Sequence, residues 1–126
     1  IVSKDIKYLN KVDFYPFKKQ KSLLAMTAHI VFSSLDKENA VTHSKKIINI
    51  IRKKIFFKNL IMSDDISMKA LKYSVSKNTT QAFKAGCDLV LHCNGKYNEM
   101  LIVAKNSPIL SDFVIKKTSQ LLNIIR

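Results

Sequence analysis

Short apolar runs alternate with amphipathic stretches along most of this chain. Three runs, each bounded by turn or capping residues, predict β-strands at 23–29, 60–64 and 87–93. A helical pattern of apolar positions follows each run. This alternation is typical of parallel βα units, so the pattern predicts an α/β fold.

The first predicted helix lies between the first two strands. Thr42 can cap the stretch THSKKIINIIRKKIFF, because its side-chain oxygen can accept from a free N–H of the first turn. Lysines occupy much of the remaining helix surface. An apolar stripe at helical spacing predicts an amphipathic helix lying on a sheet: Ile47, Ile48, Ile51 and Ile55.

The second predicted helical region follows the second strand. After Asp64, apolar residues recur at helical spacing at Met68, Leu71 and Val75, and a second stretch runs through Ala82 and Phe83. Gly86 is placed to end it as a left-handed C-terminal cap. Two more helices are predicted, one over 97–104 and one capped by Ser111, while the segment around Pro16 predicts a loop and a short helix.

The length and composition limit the class of protein. A chain of 126 residues is one domain at most, and 47% hydrophobic residues exclude a disordered polycation. The net charge of +13 is compatible with nucleic-acid binding. Lysine nevertheless outnumbers arginine 20 to 2, and base and phosphate readout favours the guanidinium group. We therefore interpret the charge as solvated basic faces, with a nucleic-acid-binding module as a lesser alternative.

The cysteines and histidines give no sign of a metal site or a disulfide. Cys87 and Cys93 bracket one predicted strand, so their Cα atoms would lie roughly 20 Å apart, too far to pair. Two free thiols fit a reducing cytoplasm. The three histidines are scattered, and no apolar run approaches the roughly 18 residues that cross a bilayer. We expect a soluble cytoplasmic protein with no membrane partner and no metal or organic cofactor.

Polar residues stand where the predicted strands end. Ligands of parallel α/β folds bind beyond the carboxyl ends of the strands, which directs attention to Asp64 and Asp65. Strand alternation places Asp64 on the face of Leu60 and Met62, and Asp65 on the opposite face. We expect one aspartate to point into a site. Capping of the following helix is the other role for such carboxylates, and the residues alone leave both open.

A longer pattern around these aspartates resembles a known family. The run Ile50-Ile51-Arg52, then Lys54, then Leu60-Ile61-Met62-Ser63-Asp64 and Ser67 is similar to the active-site signature of glycoside hydrolase family 3. Asn59 stands where the family usually has glycine, a mild departure since both residues tolerate positive φ. The blocks DFYPFK, MTAH, SDDISMKAL and KAGCDLVLHCN, spread over about 13–94, resemble the bacterial β-N-acetylhexosaminidase branch.

The resemblance implies a fold and a reaction. The fold would be the C-terminal portion, about three βα units, of a TIM-type (β/α)8 barrel, with residues 1–126 forming a single partial domain. The reaction would be retaining hydrolysis of a terminal β-linked N-acetylglucosamine, as in peptidoglycan turnover, acting on a saccharide or muropeptide. Asp64 falls on the family's nucleophile. His29, in MTAH, falls at the barrel mouth, where it either binds the sugar or satisfies a strand-end hydrogen bond.

The family's acid/base residue has no counterpart in this sequence. In the hexosaminidase branch it is a His held by an Asp on a loop with KHFPGHG and DSH motifs, and His43 and His92 lie in other contexts. We therefore expect the 126-residue chain to be inactive alone and to need the missing N-terminal half of the barrel. The alternatives are a non-catalytic remnant, or a subunit that completes a barrel with a separate chain.

Overall fold

The computed structural model describes residues 1–125 of the chain. Three parallel strands form one sheet in the order β1-β2-β3: β1 Leu24–Met26, β2 Leu60–Asp65 and β3 Leu89–Leu91. Five α-helices accompany the sheet: α1 Ile6–Lys11, α2 Lys45–Lys53, α3 Val75–Ala85, α4 Tyr97–Asn106 and α5 Asp112–Ile125. Two 3₁₀ turns cover Tyr15–Phe17 and Val41–His43. The α/β class and the parallel sheet predicted from the alternation are confirmed.

The sheet is regular on one side of β2 and irregular on the other. Residues of β1 pair in register with those of β2, from Leu24 opposite Leu60 to Met26 opposite Met62. On the other side Met62 pairs with Leu89 but Asp65 pairs with Leu91. Three steps along β2 therefore match two along β3, which is a β-bulge that contains Asp64. Bulges of this kind re-aim side chains and are frequent beside active sites.

Helix α2 packs its isoleucine stripe toward the core but ends at Lys53, earlier than predicted, so Ile55 lies just beyond it. Ile47 and Ile55 join one buried cluster with Leu9 and Phe14, while Ile48 joins a second cluster with Ile61 of β2. The cap differs from the prediction. Ser44 precedes the helix and its hydroxyl accepts the Ile47 N–H, whereas Thr42 is fully buried in the preceding 3₁₀ turn. Thr42 cannot cap α2 because two residues separate it from the first helical residue, Lys45.

The region after β2 also departs from the prediction. Helix α3 begins at Val75, capped by Ser74, so the helical turns expected at Met68 and Leu71 are absent from this described segment. Tight turns satisfy the intervening backbone instead: the Asp65 carbonyl accepts the Met68 N–H. The predicted end of the helix is confirmed, since Gly86 has a φ of 110° and its N–H bonds back to the last turn.

The remaining elements follow the sequence closely. Helix α4 runs two residues beyond its predicted end, and the Ser111 hydroxyl accepts the Val114 N–H at the start of α5. Strands β1 and β3 have three residues each and end before His29 and Cys93. Both cysteines are free thiols, Cys87 buried and Cys93 exposed. Within residues 1–125, no helix combines the length and the apolar character that crossing a membrane requires.

Candidate active site

Asp64 lies at the carboxyl end of β2, inside the bulge. Its Oδ1 accepts the N–H of the next residue, Asp65, at 2.8 Å. Its Oδ2 has no hydrogen-bond partner among residues 1–125, and the side chain is half-buried. One carboxylate oxygen is thus anchored to the backbone and the other is available to a ligand.

Asp65 has a different environment, and both of its carboxylate oxygens are engaged. Oδ1 accepts the Ser67 N–H at 2.9 Å and the Cys93 N–H at 3.3 Å, and the Ser67 hydroxyl lies within 2.8 Å of both oxygens. Burial acts to raise the pKa of this carboxyl, but the bonds from Ser67 and Cys93, with nearby His92, outweigh it and hold the pKa below its usual value. Both carboxylate oxygens of Asp65 are therefore bonded within the protein, and Asp64 is the aspartate that keeps a free oxygen.

His29 connects the end of β1 to the end of β2. Its Nε2 lies 2.8 Å from the Asp65 carbonyl oxygen, and its Nδ1 lies 2.9 Å from the Thr42 hydroxyl. A carbonyl oxygen can only accept, so Nε2 must carry a hydrogen. Both ring nitrogens thus have protein partners, as the strand-end alternative requires, and sugar binding by His29 stays a prediction.

Two other histidines lie near this end of the sheet. His43 stacks on Tyr73, and its Nε2 lies 3.2 Å from the Asn78 carbonyl oxygen. Burial lowers the pKa of His43 against the raising effect of that carbonyl, and nearby His29 lowers it further. The His92 side chain is 6% exposed and its Nε2 lies 3.1 Å from Glu99. Both serve packed contacts, as their sequence contexts predict.

The opposite end of β2 explains the basic residue of the signature. Arg52 donates to the carbonyls of Phe57 and Asn59 and to the carboxylate of Asp88, which also accepts the Ile61 N–H. Arg52 thereby fixes the loop that enters β2. The positive-φ argument for Asn59 is not needed, because the left-handed residue of this loop is Phe56, with a φ of 62°.

Two threonines support the site, a role that the sequence predicted for neither of them. Thr27, at the end of β1, and Thr42 lie with their hydroxyl oxygens 2.9 Å apart, and both are buried. Thr27 stands two residues before His29 in the strand predicted over 23–29, where alternation would put the two side chains on one face; β1 itself ends at Met26, and the two side chains meet at the Thr42 hydroxyl. The contact to Thr42 spans 15 residues and has no local signal. Within residues 1–125, no three His, Cys, Asp or Glu side chains group to hold a metal ion.

Comparisons with known proteins show which family this chain resembles. The model of the "Glycosyl hydrolase family 3 N terminal domain" matches residues 1–124. A beta-hexosaminidase of Psychromonas ingrahamii is 30% identical over 122 residues, covering 95% of this chain and 33% of the relative. One of Nitrosomonas eutropha is 32% identical over 99 residues, covering 75% of this chain and 28% of the relative.

A solved structure is also similar to this chain. The beta-N-acetylglucosaminidase of Thermotoga maritima superposes with a TM-score of 0.73 at 31% identity, over 83% of this chain and 24% of that protein. The chain thus spans about a quarter to a third of the length of these relatives.

Proposed function

The chain belongs to glycosyl hydrolase family 3, and we propose that it carries the nucleophile, Asp64, of a retaining β-N-acetylhexosaminidase. One observation carries the proposal: Asp64 has a free carboxylate oxygen at the end of the central strand, whereas both oxygens of Asp65 are engaged. A nucleophile needs such an uncommitted oxygen, held in place by its partner oxygen.

The reaction proceeds in two displacements. Asp64 Oδ2 attacks the anomeric carbon while an acid protonates the departing glycosidic oxygen, which leaves a covalent glycosyl–aspartate ester. Water, deprotonated by the conjugate base of that acid, then attacks the same carbon and releases Asp64. Two inversions give net retention of the anomeric configuration.

The substrate in this proposal carries a terminal β-linked N-acetylglucosamine. The beta-hexosaminidase names of relatives at 30–35% identity support this class. A muropeptide released during peptidoglycan recycling in the cytoplasm is the specific substrate that we propose.

We propose that the acid/base group comes from outside residues 1–126 and that the chain alone is inactive. His29 has both ring nitrogens engaged, and His92 bonds to Glu99. His43 is stacked on Tyr73 and bonded to Asn78. Protonation of the leaving oxygen needs a group free to approach it. His29 and His43 bond elsewhere, and the unpartnered Nδ1 of His92 is buried.

The partner that we propose is the remaining part of a (β/α)8 barrel, of which residues 1–126 form the C-terminal portion. Along β1 runs an apolar groove of about 430 Å³, lined by Phe14, Leu24 and Ile50 among others. A second groove of about 460 Å³ follows the far side of β3. Strands and helices of a barrel would cover both grooves and pair the open edges of β1 and β3.

The open edges also favour the second candidate, a subunit that completes a barrel with a separate chain. Strands from upstream residues of the same protein would pair with these edges as well as strands from a separate chain. Co-purification of the 126-residue chain with an upstream fragment as a one-to-one complex would support the separate subunit.

A hybrid enzyme tests the catalytic proposal. Residues 1–124 replace the matching segment of the Psychromonas ingrahamii relative, and hydrolysis of 4-nitrophenyl N-acetyl-β-glucosaminide is measured. We expect the hybrid to be active and Asp64→Asn to lower kcat by about 10³-fold or more, since it removes the attacking charge but keeps the shape.

The matched control is Asp65→Asn, which neutralises the neighbouring carboxylate and should retain far more activity. Mass spectrometry of a trapped glycosyl-enzyme should locate the sugar on the peptide that contains Asp64. An Asp64→Asn hybrid as active as its parent would exclude Asp64 as the nucleophile.

A further inference from the structure

A chain of hydrogen bonds runs from the core to the peptide that follows Asp64. The Thr27 and Thr42 hydroxyls are 2.9 Å apart, and Thr42 Oγ1 is 2.9 Å from His29 Nδ1. His29 Nε2–H then donates to the Asp65 carbonyl at 2.8 Å. The series joins the end of β1, the turn before α2 and the end of β2.

Asp65 is held on every side by this network and its neighbours. Its carbonyl accepts from His29 and from the Met68 N–H, and its carboxylate accepts from Ser67 and Cys93. The remaining polar group, its N–H, donates to Asp64 Oδ1. Because each other polar group of Asp65 is engaged, the direction of that N–H is fixed, and with it the orientation of the Asp64 carboxylate.

We propose that His29 is a positioning residue that aims Asp64 through the backbone of Asp65, and not a ligand of the sugar. This inference rests on the proposed role of Asp64 as nucleophile. The His29 bond matters because β2 is irregular here: the bulge between Met62 and Asp65 removes one regular pairing with β3. The bond to His29 ties this carbonyl to the β1 side, whereas the Met68 N–H that shares it belongs to the turn that follows.

The burial of the threonines separates positioning from sugar binding. Thr42 is 0% exposed and Thr27 is 5% exposed, so neither side chain can reach a sugar. They can influence catalysis through the orientation of His29. A sugar ligand would instead act through its own contact, independently of Thr42.

The test compares His29→Phe, His29→Gln and Thr42→Val in the hybrid enzyme. We expect His29→Phe to lower kcat about 10- to 100-fold, as a misaimed reacting group does, with the KM and the inhibition constant of free N-acetylglucosamine unchanged within about twofold. His29→Gln keeps an N–H donor in reach of the Asp65 carbonyl and should recover most of the rate.

A double-mutant cycle tests the link to Thr42. Thr42→Val should lower kcat in the same direction, and its effect should shrink strongly when His29 is already Phe. A His29→Phe variant that weakens N-acetylglucosamine inhibition while keeping kcat would overturn the proposal and make His29 a sugar ligand. Additive effects of the two substitutions would overturn the relay.

A measurement on the 126-residue chain separates this inference from the proposed function. Nitrogen-15 NMR of the neutral imidazole should find the His29 hydrogen on Nε2, as the bond to the Asp65 carbonyl demands. A hydrogen on Nδ1 would refute the relay whether or not the hybrid hydrolyses glycosides. An Nε2 hydrogen together with an Asp64→Asn hybrid as active as its parent would leave the relay standing and refute the nucleophile.

Discussion

The Arg52 guanidinium and the Asp88 carboxylate join α2 to the start of β3 across the entrance to β2. The same oxygen of Asp88 accepts the backbone N–H of Ile61, and Arg52 also binds two carbonyls of the loop before β2. The side chains are 25% and 15% exposed. The pair therefore fixes the position of β2, which carries Asp64 at its other end.

Removal of this arginine should destabilise the chain. Arg52→Met keeps the aliphatic packing but loses the bonds to Phe57, Asn59 and Asp88, so we expect a loss of about 1–3 kcal/mol in the free energy of unfolding. Urea denaturation followed by circular dichroism measures it. Lys53→Met, at the exposed neighbouring position, is the control and should change stability little. Equal effects of the two substitutions would show that these three bonds of Arg52 contribute nothing to stability.

Gly86 should tolerate no side chain. Its φ of 110° disfavours any L-residue, and an added Cβ would lie 3.1 Å from Ile48 Cγ2. We expect Gly86→Ala to cost about 1–2 kcal/mol from the backbone alone, with a further loss from that contact. Gly95→Ala is the matched control, since Gly95 has a φ of 71° and open space around it. Equal losses of thermal stability in the two variants would rule out the contact with Ile48.

His43 should make stability depend on pH in a defined window. Its pKa in the folded chain lies below the ordinary 6.5, chiefly because the ring is buried, so the unfolded chain binds the proton more readily. Stability should therefore decline as the pH falls below about 6.5, until the folded-state pKa is passed. His43→Gln keeps a donor toward the Asn78 carbonyl without titrating, and it should flatten the decline of the urea midpoint between pH 7.5 and 5. An unchanged slope would assign the decline to other groups.

The two thiols should differ sharply in reactivity. Burial, with nearby Asp88, raises the pKa of Cys87 to about 12 against the opposing effect of Arg52, and the side chain is 5% exposed. Cys93 is exposed. Iodoacetamide at pH 8 should therefore alkylate Cys93 in the folded chain and leave Cys87 intact, as peptide mass spectrometry would show. Both should react in guanidinium chloride, and rapid labelling of Cys87 under native conditions would contradict its burial.

Local pattern predicted much of the fold. The isoleucine stripe of α2, the three apolar runs and the left-handed Gly86 each depend on residues close together in the chain, and each is confirmed. The prediction of helix at Met68 and Leu71 was wrong, because their helical spacing says nothing about the turn that follows Asp65. That turn satisfies the backbone groups that a helix would need.

The sequence likewise predicted some features of the candidate site and not others. The sequence predicted that one of Asp64 and Asp65 points into a site. The resemblance assigned the role of nucleophile to Asp64. The bulge in β2, the bonds that occupy Asp65 and the link from Thr42 through His29 come from tertiary structure. Apart from the bonds between Ser67 and Asp65, which are two residues apart, the hydrogen bonds among these join residues 13 to 36 positions apart in the chain.

The sequence by itself determined which segments are strands, which face of α2 is apolar and which family the pattern resembles. These properties follow from periodicity and residue type, which act over a few neighbouring positions. Tertiary structure decided which oxygen of which aspartate remains free. That choice depends on the donors that reach the Asp65 carboxylate, from the Ser67 turn and from Cys93 beyond β3, and the Cys93 N–H reaches it only once the sheet has formed.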